Sequence, residues 1–90
     1  MARLNYHHLH YFWAVAKNGN LTKTAQQLNV SQSALSSQIR QLENTMETVL
    51  FERKGRKLKL TEAGQHALTY AEDIFSKGNE LESLLRTGIA

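Results

Sequence analysis

Residues 25–43, AQQLNVSQSALSSQIRQLE, constrain the fold of this chain more than any other stretch. Apolar residues recur there at spacings of three and four, first around Leu28 and again at Leu35 and Ile39, as on the buried face of a helix. Asn29 lies between the two series, and Asn tolerates the left-handed conformation in which many helices end. The stretch is therefore predicted to form two short helices joined by a tight turn.

The second of these helices is predicted to begin after Ser31, whose hydroxyl can cap it. Its outer face carries hydroxyl groups, amides and a single cation, on Gln32, Ser33, Ser36, Ser37 and Arg40. A solvated helix face more usually mixes Glu and Lys, whereas small polar groups allow close approach to phosphates and base edges. Contact with DNA and ordinary solvation are both compatible with this composition.

A further helix is predicted near the N-terminus, where Asn5 can act as its N-cap and Gly19 can end it. Leu9, Phe12 and Trp13 follow one face of this helix. Aromatic rings could stack on bases, but aromatic residues at helical spacing beside Leu and Ala are more typical of a core. We assign Phe12 and Trp13 to the core.

After the helices the pattern changes to the period of two that is typical of strands. Five of the seven residues from 53 to 59, RKGRKLK, are cationic, and Gly55 stands where the chain can turn. The sequence predicts a two-stranded wing with a basic tip. One interpretation of these cations is an exposed strand edge whose Lys residues prevent aggregation. Beside two short helices, contact with phosphates or the minor groove is the favoured interpretation.

Thr61 can cap a last, long helix of about 24 residues, which would be roughly 36 Å long. Small and apolar residues follow one side of it at spacings of three and four: Ala67, Ala71, Ile74, Gly78, Leu81 and Leu85. Such a helix is longer than a sixty-residue body, so its distal apolar side needs a partner. We predict a homodimer through this helix, because Ala and Gly permit close approach of two copies. Binding to a membrane surface is disfavoured by the acidic charge of the helix.

The charge of the chain is unevenly distributed. The formal net charge is +3, but residues 1–60 contain nine Lys and Arg against three acids, whereas residues 61–90 contain two against five. This asymmetry predicts a polyanionic partner for the first sixty residues. The alternative, a protein-interaction or dimerisation module without specific DNA readout, leaves that positive charge without a use.

An enzyme is not expected, because the sequence has no Cys nucleophile, Gly-rich phosphate loop or convergent pair of carboxylates. His7 and His10 could share a metal ion, but no third ligand is evident, and we expect neither a metal nor a cofactor. The longest apolar run, residues 11–16, is far shorter than the roughly 20 residues of a membrane-spanning helix. With no signal-peptide pattern at the N-terminus, the protein is predicted to be cytoplasmic.

The chain resembles the N-terminal DNA-binding domain of LysR-type bacterial transcriptional regulators. The resemblance rests on LTKTAQQLNVSQSALSSQIRQLE, followed by VLFERKGRKLKLTEAG and then a long helix, in the family's order and spacing. It covers essentially all ninety positions. The opening NYHHLHYFW is similar to the subgroup that activates sodium/proton antiporter genes.

The resemblance implies a mainly α fold, a winged helix-turn-helix of three helices and a two-stranded wing in residues 1–60. It also implies that residues 61–90 are the linker helix, through which the protein dimerises and binds an interrupted inverted repeat of double-stranded DNA. A small-molecule effector would bind a C-terminal domain that is absent from this chain.

The resemblance also implies roles for individual residues. Gln32 and Ser33 would read bases, Ser36 would lie at a phosphate, and Thr22 and Lys23 would hold the DNA backbone. We also count Ser31, Ser37 and Arg40 among the candidate DNA-binding residues. On the wing, Arg53 would enter the adjacent groove, with Lys54, Arg56 and Lys57 as further cations.

Two positions depart from the family pattern. Many members have Arg where this chain has Ser37, so one long-reach base contact is missing and Arg40 becomes a candidate for phosphate contact instead. The family's Gly after the third helix is Glu47 here, and a left-handed Glu costs roughly 1 to 2 kcal/mol more than Gly. Either the helix continues past Glu47 or the turn is strained.

Overall fold

The computed structural model describes residues 3–55 and 57–88. These residues form four helices and one two-stranded sheet, in the order α1 (Tyr6–Asn18), α2 (Leu21–Leu28), α3 (Gln32–Met46), β1 (Phe51–Lys54), β2 (Lys57–Leu60) and α4 (Glu62–Thr87). The predicted mainly α fold with a two-stranded wing is confirmed.

Each helix begins at a residue whose side-chain oxygen accepts a hydrogen bond from a backbone N–H three residues later. The four N-caps are Asn5, Asn20, Ser31 and Thr61, with donor–acceptor distances of 2.9 to 3.0 Å. Each cap satisfies one of the N–H groups that lack a partner in the first turn of a helix. The predicted caps of α1, α3 and α4 are therefore confirmed.

The first three helices end at a residue with a left-handed backbone: Gly19 at φ 67°, Asn29 at φ 58° and Glu47 at φ 53°. Gly19 and Asn29 are the predicted ends of α1 and α2. For Glu47, the sequence left two alternatives open, and the structure has the strained turn rather than a longer helix, since α3 ends at Met46.

The core lies where α1 crosses α3 and the first half of α4. Phe12, Val15, Leu35 and Leu42 are its largest fully buried apolar side chains. Trp13 is only partly buried, and its ring centroid lies 5.1 Å from that of Phe75 on α4. The core assignment of Phe12 and Trp13 is thus confirmed, while Val15 is an addition, because α1 is covered from several sides and its buried face is wider than one stripe.

The two strands form an antiparallel ladder from the Phe51–Leu60 pair at the base to the Lys54–Lys57 pair at the tip. Gly55 follows β1 with φ 65°, a conformation that glycine adopts without strain. We call residues 51–60 the wing. Phe51, Leu58 and Leu60 are partly buried against the core, so the base of the wing is fixed to the body, while the charged residues of the wing that the structure describes stay exposed.

Helix α4 has 26 residues and is about 39 Å long at 1.5 Å per residue. Its first half packs on the body, with Ala71 and Phe75 buried. All residues from 79 to 88 are exposed, so the last turns extend beyond the body, as the length of the helix predicts. Within residues 3–55 and 57–88, the apolar stretches of the helices are too short or too polar to cross a bilayer.

Candidate nucleic-acid interface

The N-terminal ends of α2 and α3 and the inner side of the wing enclose one polar cleft. Four predicted site residues line it, Thr22 from α2, Gln32 from α3, and Arg53 and Lys57 from the wing. These residues lie up to 35 positions apart in the sequence, from Thr22 to Lys57. We call this depression the wing cleft. It brings together the candidate residues of the helix-turn-helix and of the wing.

A second cleft follows α3 toward its C-terminal end, and we call it the α3 cleft. Ser36, Arg40 and Glu43 line it from α3, and Arg53 lines it from the wing. Gln32, Ser36 and Arg40 are spaced by four residues, so they form one stripe along the side of α3 that faces the wing. Arg53 lies between the two clefts and borders both.

Gln32 is held in place by a hydrogen bond between the two helices. Its side-chain Nε2 donates to Oγ1 of Thr22 over 2.7 Å. The amide of Gln32 keeps its second N–H and its Oε1 for another partner, and the hydroxyl of Thr22 keeps its own hydrogen to donate. The bond therefore orients the side chain that is predicted to read a base and leaves it the capacity to bind one.

Of the remaining predicted DNA-binding residues, those that the structure describes lie outside the two clefts. Lys23, Ser33, Ser37 and Lys54 are exposed. The hydroxyl of Ser31 is occupied by the cap of α3 and lies 3.3 Å from that of Ser33. Arg56, the other predicted wing cation, lies outside the described residues.

Among the described residues, the cations of this surface have no carboxylate partner within 4.0 Å. In the described part of the chain, ion pairs within 4.0 Å join Lys17 to Glu72 and Lys77 to Glu80, and both involve α4. Lys23, Arg40, Arg53, Lys54 and Lys57 form none there. Their positive charge is therefore available to a polyanion, and at such exposed positions it is screened by salt.

The six residues that are predicted to form the dimer contact have different surroundings. Ala71 is fully buried inside the chain, so its side chain has no exposed surface to offer a partner. Ala67 and Ile74 pack partly against the core, and Gly78 lies so close to α1 that an added Cβ would be 2.7 Å from the hydroxyl of Tyr6. Leu81 and Leu85, in contrast, are 54% and 66% exposed.

An apolar groove that sequence reasoning missed runs beside the first half of α4. Its walls come from α1, α3 and α4, from the residues before α1 and from the segment between α3 and β1: Leu4, Leu9, Leu42, Met46, Thr48, Leu50, Ala63, Ala67, Tyr70, Ala71 and Ile74. Tyr70 is 68% exposed and lies between Ala67 and Ile74 on the same helical face. Its spacing of three and four from these residues was the available signal.

The two histidines that could share a metal ion are engaged with aromatic neighbours instead. His7 Nε2 lies 3.2 Å from the hydroxyl of Tyr11, and the ring of His10 meets that of Phe75 edge to face at 5.3 Å. No group of three or more metal-binding side chains is found in residues 3–55 and 57–88.

Comparison with known proteins gives a consistent result. Residues 6–65 match the family model described as bacterial regulatory helix-turn-helix protein, lysR family. The transcriptional activator protein NhaR of Escherichia coli K12 is 38% identical over 81 residues, which are 90% of this chain and 27% of that protein. The chain thus spans about a quarter of the length of this curated relative.

Two solved structures with DNA have the same fold. One is a BenM_DBD/catB site 1 DNA complex, with a TM-score of 0.87 and 34% identity, covering 92% of this chain and 93% of that one. The other is full-length CbnR in complex with its target DNA, with a TM-score of 0.81 and 35% identity, covering 91% of this chain and 28% of that one.

Proposed function

This chain belongs to the LysR family of bacterial regulatory helix-turn-helix proteins, and we propose that it binds double-stranded DNA sequence-specifically as a dimer. In the proposed complex α3 lies in the major groove and the wing contacts the adjacent groove or the backbone. Acting on DNA, the regulator works in the bacterial cytoplasm. Control by a small-molecule effector would come from a C-terminal domain outside this chain.

The observation that carries the proposal is the wing cleft. Thr22 and Gln32 meet Arg53 and Lys57 there, so one concave surface offers hydroxyl and amide groups for base edges beside cations for phosphates. A major groove about 12 Å wide admits one helix, and the stripe of Gln32, Ser36 and Arg40 is the part of α3 that borders the clefts. Base discrimination is assigned to Gln32 and Ser33, and much of the affinity to the wing.

The electrostatic part of the proposal is tested by titrating a labelled duplex at several salt concentrations. Each lost phosphate contact should reduce the log–log slope by about 0.9, so Lys54→Ala combined with Lys57→Ala should reduce it by about 1.8. Lys77→Ala is the matched control, since Lys77 is paired with Glu80 on α4 and should leave the slope unchanged. Binding that is absent or independent of salt would contradict the proposed function.

The reading role of Gln32 is tested on a site selected from a random duplex pool. Gln32→Ala should cost roughly 1 to 3 kcal/mol on the selected site and much less on random DNA. Gln65→Ala, an exposed Gln on α4 outside both clefts, is the control and should change neither. Equal losses on the two kinds of DNA would make Gln32 a residue that positions the protein rather than one that reads sequence.

For the dimer, we propose that α4 of one copy covers the apolar groove of the other. Leu81 and Leu85 follow Ala67 and Ile74 at helical spacing, so the exposed leucines continue the face of α4 that lines the groove. In an antiparallel pair related by a two-fold axis, the distal leucines of each copy would lie over the groove of its partner. This arrangement gives a partner to both exposed apolar surfaces of α4.

Sedimentation tests this contact, because it measures whether the protein in solution has the mass of a dimer or of a monomer. Leu81→Glu combined with Leu85→Glu should convert the dimer to a monomer, because two carboxylates would have to be buried against apolar side chains. Ser76→Glu with Ser83→Glu places the same two charges on the opposite side of α4 and should preserve the dimer. An unchanged mass for the leucine variant would point to a different interface.

A further inference from the structure

The carboxylate of Glu43 joins α3 to the base of the wing. Its Oε2 accepts hydrogen bonds from the backbone N–H of Leu50 over 2.8 Å and of Phe51 over 3.2 Å. Phe51 is the first residue of β1. Hydrogen bonds to a charged acceptor are stronger than neutral ones, and these two lie in a partly buried position.

The opposite side of the same segment is held by α4. Thr61, the N-cap of α4, donates two hydrogen bonds to this segment. Its backbone N–H donates to Leu50 O over 3.0 Å, and its hydroxyl donates to Val49 O over 2.6 Å. Gly64 packs directly on the carbonyl group of Leu50. Residues 49–51 are therefore fixed between α4 and α3, and Glu43 supplies the side-chain connection from α3.

We propose that Glu43 is a positioning residue for DNA binding, which sets the wing at a fixed angle to α3. The proposal rests on the proposed function, since it concerns how the two DNA-contacting parts act together. Glu43 and Arg53 line the same cleft, and Arg53 is two residues after Phe51 on β1. By holding Phe51, Glu43 determines where Arg53 and the wing tip meet the DNA.

The length of the wing explains why such a connection matters. Lys54 is three residues from Phe51, or about 10 Å at 3.3 Å per residue, so a tilt of about ten degrees at the base moves the tip by about 2 Å. A hydrogen-bonded contact with a phosphate does not survive a displacement of that size. A wing without the Glu43 connection would sample several angles and bind DNA more weakly.

The direction in which DNA affinity changes when a carboxylate is removed distinguishes a positioning role from simple electrostatic repulsion. Removing a negative charge from a DNA-binding surface should strengthen binding, and Glu52→Ala, which removes an exposed carboxylate from β1, should do so or change nothing. Glu43→Ala removes the same charge but should weaken binding about tenfold, the scale of one lost contact. Glu43→Gln retains an acceptor oxygen of the same reach and should bind within about twofold of the parent chain.

Charge and reach are separated by Glu43→Asp, which keeps the carboxylate but is one methylene shorter. It should weaken binding as Glu43→Ala does, and it also serves if the Ala variant does not fold. Tight binding by the Asp variant, or by the Ala variant, would overturn the proposal. A change of base preference with Glu43→Gln would also overturn it, because Glu43 would then contact a base itself.

A double-mutant cycle with the combined wing variant Arg53→Ala, Lys54→Ala and Lys57→Ala tests whether Glu43 acts through the wing. If it does, Glu43→Asp should cost about tenfold with these three wing cations present and at most about twofold once they are Ala, because the affected contacts are already gone. Equal losses on both backgrounds would mean that Glu43 acts elsewhere.

Amide hydrogen exchange provides a readout without DNA. The N–H groups of Leu50 and Phe51 should exchange faster in Glu43→Asp than in the parent chain, whereas amides in the middle of α1 should not change. Unchanged exchange at both positions would overturn the positioning role. If instead the parent chain binds no duplex while these amides respond, the proposed function fails and the connection itself stands.

Discussion

The turns before and after α3 have the same backbone conformation, but the left-handed position is occupied by Asn29 in the first and by Glu47 in the second. In the first, Asn29 N–H bonds to Gln26 O over 3.2 Å and Val30 N–H to Ala25 O over 3.0 Å. In the second, Glu47 N–H bonds to Asn44 O and Thr48 N–H to Glu43 O over the same two distances. Both are Schellman motifs with a left-handed residue, but Asn favours that conformation and Glu does not.

The contacts that follow each turn explain the difference. After Asn29, the chain reaches Ser31 and α3 within two residues, so this turn depends largely on its own residue and on the cap of α3. After Glu47, residues 49–51 are held by Glu43 from α3 and by Thr61 and Gly64 from α4. A turn whose outgoing segment is fixed by tertiary contacts can retain an unfavourable residue, because those contacts offset its strain.

The largest expected effect comes from disrupting the contacts after the second turn. Gly64→Ala would place a methyl group against the backbone carbonyl of Leu50 and 2.9 Å from Leu60 Cδ2. Since backbone on both sides must move, we expect a loss of about 3 kcal/mol in the free energy of unfolding, measured by urea denaturation.

Gly78→Ala is the matched control for this substitution in the same helix. Its new Cβ would meet only the hydroxyl of Tyr6, the far end of a side chain that can move. Because Ala is favoured over Gly inside a helix by up to about 1 kcal/mol, this variant should be neutral or more stable. A Gly64 variant as stable as the Gly78 variant would show that residues 49–51 are not tightly held by α4.

Thr61→Val should have the next largest effect. The hydroxyl of Thr61 both caps α4, by accepting from Gly64 N–H over 3.0 Å, and donates to Val49 O over 2.6 Å. Losing a cap and a second hydrogen bond should cost about 2 kcal/mol in total. Ser31→Ala, which removes the cap of α3 on the side of the first turn, should cost only about 1 kcal/mol.

Thr61→Ser is the control in the same urea denaturation experiment. It keeps the hydroxyl, so it should retain most of the stability that Thr61→Val loses. If Thr61→Val and Ser31→Ala prove equally costly, the bond to Val49 contributes nothing and the segment after the second turn is less firmly held than its contacts indicate.

The helix starts and ends that the sequence predicts are the ones that depend on neighbouring residues. The starts of α1, α3 and α4 and the ends at Gly19 and Asn29 depend on bonds between near neighbours, so a short window contains the information. The conformation of Glu47 depends on Thr61 and Gly64, more than a dozen residues away. The residues next to Glu47 therefore allow two alternatives, a longer helix or a strained turn, and do not decide between them.

The candidate interface shows the same limit. Spacing along α3 predicts that Gln32, Ser36 and Arg40 share a side, but not that Arg53 faces them or that Gln32 bonds to Thr22. On α4, the helical period identifies an apolar side but does not divide it between the chain's own core and a partner. For that reason the spacing groups Ala71, which is buried inside the chain, with the exposed Leu81 and Leu85.

The smallest expected effect tests the strain at the second turn itself. Glu47→Gly removes the left-handed penalty of roughly 1 to 2 kcal/mol, while Gly adds freedom to the unfolded chain, so the net gain in the free energy of unfolding should be about 1 kcal/mol. Glu47 is exposed and its side chain contributes little packing.

Asn29→Gly is the matched substitution in the first turn and should change stability by only a few tenths of a kcal/mol, because Asn already tolerates the conformation. Equal changes at the two positions would mean that the turns do not differ in strain, and the contacts made by Glu43, Thr61 and Gly64 would then offset nothing at Glu47.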